Sequence, residues 1–213
     1  MLNLLPKDLK TILCIGAHCD DIEIGCGGTM LRLIREFPDA GVHWVVLSSD
    51  PVRAREAQDG ASRFLDGVRK KTVTIKEFKN GFFPYSGAQI KAYFEQLKNE
   101  VKPDIIFTHF REDFHQDHRI VSELTWNTFR DHLILEYEIV KYDGDLGRTN
   151  LFVPLAEEVW RRKIDYIDAC FPSQKDKRWF TRDTFQSMMR LRGVESNSAS
   201  GYAEGFYCRK AVI

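Results

Sequence analysis

The chain has 213 residues, of which 43% are hydrophobic and 29% charged, a balance that is ordinary for a globular protein with a sizeable buried core. Lys and Arg together number 31, as do Asp and Glu, so the net charge is zero with His neutral, which argues against a nucleic-acid-binding protein. The five cysteines form no Cys-x-x-Cys pair, so neither a disulfide framework nor a thiolate zinc site is predicted, and a reducing, cytoplasmic location is expected.

In chain order, the N-terminal MLNLLPKDLK is too short and too polar for a signal peptide, and no later apolar run reaches the ~20 residues of a membrane span. Short apolar runs then predict strands, and apolar residues at helical spacing predict helices. The predicted elements are a strand at 11–16, a loop at 18–28, a helix through 30–37, a strand at 43–48, a helix at 53–65, a strand at 72–75, a helix through 90–101, a strand at 104–109, a helix at 116–130, a strand at 133–140, helices near 159–169 and 181–192, and a strand at 202–209.

This alternation of strands and helices predicts a three-layer, Rossmann-like α/β fold, with a mostly parallel sheet and helices on both faces. No repeat or linker interrupts the pattern, so residues 1–213 are predicted to form a single domain. In open sheets of this kind, ligands bind beyond the carboxyl ends of the strands. The loops that follow Gly16 and His109 both lie at that edge, so we expect an active site where they meet.

Both of these loops are rich in metal-ligating side chains. The first contains His18, Asp20 and Asp21, and the second contains His115, Asp117 and His118. Two histidines and one carboxylate, with a position left for water, are a common catalytic zinc arrangement. Since successive side chains point in different directions, one of the two adjacent aspartates is expected to bind metal and the other to face the substrate. Taken singly, each cluster is also typical of a helix cap or a turn.

The remaining histidines and the glycine-rich segment have simpler interpretations. His109 closes a predicted strand and is interpreted as a buried hydrogen-bonding group or a support for the site, whereas His43 and His132 are interpreted as structural. The segment 25–28 matches neither phosphate-binding glycine pattern. Its glycines are interpreted as allowing a tight passage from the loop into the helix, with an anion contact as the lesser alternative.

Four segments of the sequence resemble segments of a known family. ILCIGAHCDDIEIGCGGT resembles the A-H-P-D-D-x-E signature of the LmbE-like (PIG-L) de-N-acetylases, and PDIIFTHFREDFHQDH is similar to their second motif, which ends in H-x-D-H. The stretches 52–57 and 202–206 resemble a helix start and a C-terminal strand of the same family. The first two motifs together are highly specific, and all four run in the family's order over nearly the whole chain.

The resemblance implies a zinc-dependent de-N-acetylase, with another divalent metal as an option, that hydrolyses the acetyl group of an N-acetylated amino sugar to a free amine and acetate. The implied roles are His18, Asp21 and His118 as metal ligands, Asp20 as general base, His115 as the oxyanion-stabilising and proton-donating group, Asp117 as the carboxylate that orients His115, and Arg53 as a substrate-facing group. An ion pair of Arg53 with Glu56 or Asp50 is an equal alternative. Cys19 stands where the family usually has Pro, and its thiol is expected to face away from the metal and to be inert.

Two other functions remain open from the sequence. A ferrous oxygenase also uses two histidines and one carboxylate, although the second aspartate and the α/β alternation disfavour it. A non-catalytic module that binds a sugar or a nucleotide would need no metal at all. The expected partner is a small N-acetyl sugar, whether free, nucleotide-linked, lipid-linked or part of a glycoconjugate, and homo-oligomerisation stays open.

Overall fold

A computed structural model describes residues 8–212, so most of the N-terminal segment for which no signal peptide is predicted lies outside the described residues. The strands are β1 (Thr11–Gly16), β2 (Gly41–Val46), β3 (Lys71–Ile75), β4 (Ile105–His109), β5 (Leu133–Tyr137), β6 (Leu151–Pro154) and β7 (Ala203–Cys208). The helices are α1 (Asp21–Glu36), α2 (Pro51–Phe64), α3 (Gly87–Glu100), α4 (Gln116–Thr128), α5 (Glu157–Cys170) and α6 (Arg182–Glu195). Short 3₁₀ turns occur at Phe83–Tyr85 and Pro172–Gln174.

The seven strands form one sheet in the order β3-β2-β1-β4-β5-β7-β6. Strands β1 to β5 are parallel to one another, whereas β7 runs antiparallel to both β5 and β6. The predicted mostly parallel α/β fold is therefore confirmed. The chain winds outward from β1 in both directions, which places the neighbouring strands β1 and β4 at the point where ligands bind in sheets of this topology.

Helices cover both faces of the sheet, so the central strands are buried on both sides. Because side chains alternate along a strand, β1 contributes Ile12 and Cys14 to one core and Leu13 and Ile15 to the other. The first core is completed by apolar side chains of α1, α2, α5 and α6, and the second by side chains of α3 and α4. These two cores hold the strand ends, and with them the two polar loops, in fixed positions.

Helix α1 begins at Asp21, much earlier than predicted, so the prediction of a loop over 18–28 is wrong for most of its length. The glycines of 25–28 lie inside this helix, and neighbouring side chains leave no room for a Cβ at their positions. A Cβ on Gly25 would lie 2.2 Å from the ring of Tyr137, and one on Gly28 would lie 2.6 Å from Leu155. The backbone N–H groups of Gly28 and Thr29 donate to the Glu204 carboxylate over 2.8 and 2.6 Å, so the anion they contact belongs to the protein itself.

The other differences from the predicted elements lie at element ends and in the last third. Strand β6 was not predicted, because it is a four-residue edge strand that ends in Pro154, and it pairs with the distant β7. Strand β5 ends at Tyr137 rather than at position 140. Within residues 8–212, no helix combines the length and the apolar character that crossing a bilayer requires.

Candidate metal centre and active site

The two polar loops leave the same edge of the sheet side by side, because β1 and β4 are paired in parallel. The backbone N–H of Ala17 donates to Nε2 of His109 over 2.9 Å, which ties the two strand ends together. His18 and His118 are 100 positions apart in the chain, yet their rings are in contact. The predicted meeting of the two loops is therefore observed.

Side-chain atoms of the three predicted metal ligands converge at this edge. Nδ1 of His18 lies 3.1 Å from Nε2 of His118 and 3.3 Å from Oδ2 of Asp21. Nε2 of His118 lies 3.6 Å from Oδ1 of Asp21. A tetrahedral zinc ion with bonds of about 2.0–2.2 Å separates its ligand atoms by about 3.3–3.6 Å. The observed separations of 3.1–3.6 Å are close to these values, with His18 facing one carboxyl oxygen of Asp21 and His118 facing the other.

The outer nitrogens of both imidazoles face carboxylates. Nδ1 of His118 lies 2.9 Å from Oδ2 of Asp113, and Nε2 of His18 lies 3.3 Å from Oδ2 of Asp117. Because a carboxylate only accepts hydrogen bonds, each outer nitrogen carries the proton, and the inner nitrogen of each neutral ring keeps a lone pair. Two lone pairs and the carboxylate of Asp21 then face one another, an arrangement that is repulsive until a cation or a proton lies between them. Metal-binding histidines are held by carboxylates in this way.

The charges at the site perturb the titration of all three residues. Burial opposes the charged form of His18, but Asp21 and Asp117 outweigh it and raise the pKa of this imidazole to about 10. Burial, together with the neighbouring His109, lowers the pKa of His118 to about 3. Burial also opposes the ionised form of Asp21, yet the three surrounding imidazoles hold its pKa well below the ordinary value. The raised pKa of His18 reflects an excess of negative charge that either a proton or a metal cation neutralises.

Asp20 is buried beside the metal-ligand cluster and is held by Arg53. Although Asp20 occupies the position before α1, its side chain makes no capping hydrogen bond. Its Oδ1 instead accepts a hydrogen bond from Nη2 of Arg53 over 2.7 Å. The Glu56 carboxylate lies 3.9 Å from Nε of Arg53, and Asp50 caps α2 through backbone N–H groups. The main partner of Arg53 is therefore Asp20, rather than either of the two partners considered from the sequence.

His115 stands against the same two imidazoles. Its ring stacks on His118 with centroids 4.5 Å apart and meets the ring of His18 edge-on at 4.9 Å. Its Nδ1 accepts the backbone N–H of Asp117 over 3.2 Å, so the neutral ring carries its proton on Nε2. Burial and a positive charge at His18 lower the pKa of His115, and a cation between His18 and His118 would act in the same direction. At neutral pH, His115 is an N–H donor.

The hydrogen bonds of the Asp117 carboxylate go to groups other than the ring of His115, which the family resemblance implies as its partner. Its Oδ2 faces Nε2 of His18 and also accepts the backbone N–H of Gly81 over 2.6 Å. Its Oδ1 accepts the backbone N–H of Phe83 over 3.1 Å. The hydrogen bond between Asp117 and His115 comes from the Asp117 backbone N–H. The carboxylate therefore orients His18 and anchors the segment that follows β3.

Further donor atoms surround the same point. The ligand atoms of His18, His115 and His118 lie within 4.8 Å of one another, and so do those of Asp21, His109 and His118. The predicted ligand set takes members from both groups, which share His118. His109 is fully buried, and its Nε2 lies 3.1 Å from Oδ2 of Asp21. This position matches the interpretation of His109 as a buried supporting group.

Cys19 lies away from the convergent atoms. Its side chain is buried, and its thiol donates to the backbone carbonyl of Ser48 over 3.2 Å. Burial raises the pKa of this thiol to about 12, so it stays protonated and is a poor metal ligand at neutral pH. The structure thus places Cys19 as expected from the sequence.

Two buried acidic groups near the site were not singled out by sequence analysis. Asp113 orients His118, and the available signal was a carboxylate five positions before that histidine. Glu23 is fully buried, and neither of its carboxyl oxygens has a hydrogen-bond partner among residues 8–212. Burial raises its pKa well above the ordinary value, which favours the neutral carboxyl form of Glu23. The signal for Glu23 was its place in the first motif, which did not assign it a role.

Comparison with known sequences identifies the region that holds this site. The family model described as GlcNAc-PI de-N-acetylase (PIG-L) matches residues 13–129, just over half of the chain. The Escherichia coli (strain K12) protein described as uncharacterized deacetylase YaiS is 26% identical over 125 residues, which cover 54% of this chain. That match spans 65% of YaiS, just under two thirds of its length.

Solved structures show the same fold. An N,N'-diacetylchitobiose deacetylase from Pyrococcus horikoshii has 22% identity and a TM-score of 0.70, over 94% of this chain and 84% of that one. GalB, the 4-carboxy-2-hydroxymuconate hydratase from Pseudomonas putida, has 16% identity and a TM-score of 0.73, over 96% and 98% of the two chains. At these identities the likeness shows the fold alone, and the two different activities show that this fold does not select one reaction.

The segment matched by the family model contains both polar loops, and with them all of the converging His and Asp side chains described above. The two motifs, the order of the strands and the family match all point to one assignment. This chain belongs to the GlcNAc-PI de-N-acetylase (PIG-L) family, also called LmbE-like.

Proposed function

We propose that this protein is a zinc-dependent hydrolase that removes the acetyl group from an N-acetylated amino sugar and releases the free amine and acetate. The observation that carries the proposal is the convergence of Nδ1 of His18, the carboxylate of Asp21 and Nε2 of His118 at separations of 3.1–3.6 Å. Family membership supports amide hydrolysis. The two deacetylases among the compared proteins support an N-acetyl group as the target.

The donor set suits a zinc ion, and other divalent metals are alternatives. Two imidazole nitrogens and one carboxylate oxygen are the ligand types of catalytic zinc sites. A zinc ion held there would polarise the acetyl carbonyl and lower the pKa of a water molecule to about 7. The carboxylates of Asp113 and Asp117 fix a proton on the outer nitrogen of each ring, so the inner nitrogens face the metal position. At His18 the metal would take the place of a proton.

Asp20 is the proposed general base, which accepts a proton from the attacking water. Its neighbour Asp21 is turned towards the imidazoles, whereas Asp20 is turned towards Arg53. The hydrogen bond of 2.7 Å from Arg53 holds the Asp20 carboxylate in one orientation. The side chain of Arg53 is 17% exposed, so part of it is open to a substrate. Its Nε is buried and has no hydrogen-bond partner among the described residues.

His115 is the proposed donor to the reacting amide. Its Nε2–H is free to stabilise the carbonyl oxygen as that oxygen gains negative charge. Because neutral His115 keeps this proton, the proton that the leaving nitrogen needs is assigned to Asp20, which has taken one from the water. The role of His115 needs no imidazolium, in keeping with the lowered pKa of His115.

A groove of about 630 Å³ beside the loop between β4 and α4 offers room for the sugar or for the group attached to it. Phe110, Phe114 and Tyr207 line it together with Arg148 and Arg209. The ring of Phe114 is 65% exposed and directly precedes His115 in the chain. Aromatic rings with an exposed face pack well on sugar rings, so the groove is compatible with a glycan or glycoconjugate substrate.

The test is acetate release from a panel of N-acetylhexosamine conjugates by protein loaded with one equivalent of zinc. We expect release by the zinc protein, none after chelation, and recovery when zinc is added back. His18→Ala and His118→Ala should lose stoichiometric zinc and activity. His43→Ala is the matched control, because His43 lies on β2, away from the two polar loops. Full activity of metal-free protein, or of either ligand variant, overturns the proposal.

The same experiment separates the alternative functions. A ferrous oxygenase would need iron and molecular oxygen, so acetate release by the zinc protein under anaerobic conditions excludes it. A binding module would retain its sugar without metal and release no acetate. If the zinc protein releases no acetate from any conjugate but hydrates an unsaturated acid, the likeness to GalB would extend from the fold to the reaction.

A further inference from the structure

A buried ionic network joins the loop after β5 to the loop between β4 and α4, which leads into His115 and His118. Nζ of Lys141 lies 3.0 Å from Oδ1 of Asp113 and 2.5 Å from Oδ2 of Asp145. The side chains of Lys141, Asp113 and Asp145 are 8%, 3% and 4% exposed. One ammonium group thus lies between two buried carboxylates, and neither Lys141 nor Asp145 has a part in the proposed reaction.

The two carboxylates hold different parts of the loop between β4 and α4. Oδ1 of Asp113 accepts the backbone N–H of His115 over 2.7 Å, and its Oδ2 faces Nδ1 of His118 at 2.9 Å. Oδ2 of Asp145 accepts the backbone N–H of Phe114 over 2.7 Å. The network therefore fixes two consecutive backbone positions and the ring of one proposed metal ligand.

We propose that Lys141 is a positioning residue for the metal centre, because it fixes the Asp113 carboxylate that keeps the Nε2 lone pair of His118 directed at the metal. Two buried carboxylates repel each other unless a cation lies between them. Without the ammonium group, this repulsion favours rotation of the Asp113 carboxylate away from Asp145. His118 would then lose the acceptor that holds its proton on Nδ1, and a ring with its proton on Nε2 cannot bind a cation through that nitrogen.

This inference rests on the proposed metal centre, but not on the identity of the substrate. Both carboxyl oxygens of Asp113 have partners: Oδ1 contacts Lys141 and His115, and Oδ2 contacts His118. An amide at this position has a single acceptor oxygen, so it serves one side only. Asp113→Asn should therefore disturb the same property as loss of Lys141.

Lys163 provides a matched control, since it is a second buried lysine in an ion pair. Its Nζ lies 2.6 Å from Oε1 of Glu204, and both side chains are 3% exposed. It also donates to the backbone carbonyl of Ile24 over 2.6 Å. None of these contacts touches a proposed metal ligand, so loss of Lys163 should lower stability without changing the metal centre.

The experiment compares Lys141→Met with Lys163→Met in the full chain. Affinity for zinc and cobalt(II) is measured by chelator competition, and the visible absorption of bound cobalt(II) reports its coordination. We expect Lys141→Met to weaken metal affinity by ~10–100-fold and to alter the cobalt spectrum, as loss of a group supporting a metal ligand does elsewhere. Lys163→Met should keep the parent affinity and spectrum. Lys141→Arg, which retains the charge, should restore most of the affinity.

A double-mutant cycle tests whether Lys141 acts through Asp113. In the Asp113→Asn background, Lys141→Met should cause little further loss of metal affinity, because the two substitutions break one chain of contacts. If circular dichroism shows that Lys141→Met is unfolded, Lys141→Gln replaces it and should still lose several-fold in affinity, because it keeps a donor but no charge.

The outcomes distinguish this inference from the proposed function. A parent protein that binds no divalent metal overturns both. A parent that binds zinc but releases no acetate from any conjugate overturns the proposed reaction alone. Parent-like affinity and cobalt spectrum in a folded Lys141 variant, or an equal loss of affinity in Lys163→Met, overturns the positioning role and leaves the metal centre standing.

Discussion

Substitution of Asp117 by Asn distinguishes the role implied by the sequence motif from the role indicated by the contacts. Three donors converge on this carboxylate: the backbone N–H groups of Gly81 and Phe83, and Nε2–H of His18. Asn has one acceptor oxygen and one NH₂ group, so at least one of these donors must face an NH₂ group. Leaving a buried donor unsatisfied costs about 1–3 kcal/mol of folding stability.

The same substitution weakens the hold on His18. Loss of a carboxylate that supports a metal-ligating histidine lowers metal affinity by ~10–100-fold, so we expect Asp117→Asn to bind zinc less tightly and most of the lost activity to return as zinc is raised. The assays are urea unfolding of the metal-free protein, zinc affinity by chelator competition, and kcat as a function of free zinc. A variant with parent zinc affinity and a low kcat that zinc does not restore would refute this reasoning and support a role through His115.

Three further predictions follow from the site. Asp20→Asn should keep stoichiometric zinc yet lose ~10²–10⁴-fold in kcat, since only the base is removed; if it loses zinc as Asp21→Asn does, the separate roles of the two aspartates are wrong. His115→Ala should lower kcat by ~10²–10³-fold with little change in KM. The pKa of His115 is lowered, so its imidazolium is already lost below neutral pH. Any fall in the parent's kcat above pH 7 should therefore persist in this variant. Burial raises the pKa of Glu23, so its neutral form stabilises the fold at low pH and that contribution is lost as pH rises through the raised pKa. The melting temperature of Glu23→Gln, relative to the parent, should therefore be higher at pH 8 than at pH 5, and an equal difference at both pH values would contradict a raised pKa of Glu23.

Much of the fold could be predicted from the sequence, because its central elements have strong local signals. The apolar run of β1 and the helical spacing of α3 reflect burial directly. The start of α1 could not be predicted in this way, since three glycines in four residues lower helix propensity. Here tertiary packing overrides that propensity: the Tyr137 ring and the Glu204 carboxylate need the space that side chains at positions 25 and 28 would fill. Such contacts depend on strands far along the chain and leave no local pattern.

The candidate site divides in the same way between local motifs and distant contacts. The residues that converge at the sheet edge lie within two short motifs, and the topology of a parallel sheet was enough to bring the motifs together. The hydrogen-bond partners of these side chains were harder to predict from the sequence. The pairing of Arg53 with Asp20 joins α2 to the start of α1, and the hold of Asp117 on Gly81 and Phe83 joins α4 to the segment after β3. Side-chain geometry between separate elements decides these contacts.

These anchoring contacts explain how the lone pairs are oriented before a metal binds. Asp117 fixes the outer nitrogen of His18 and is itself held by two backbone N–H groups, whereas Asp113 fixes the outer nitrogen of His118 and is held by Lys141. Each imidazole is therefore clamped by a carboxylate whose remaining acceptor positions are occupied by the framework of the fold. Rotation of either ring breaks a hydrogen bond to a buried carboxylate, which is costly. Metal affinity at this site should accordingly depend on Asp113, Asp117 and Lys141, and not only on the residues that touch the metal.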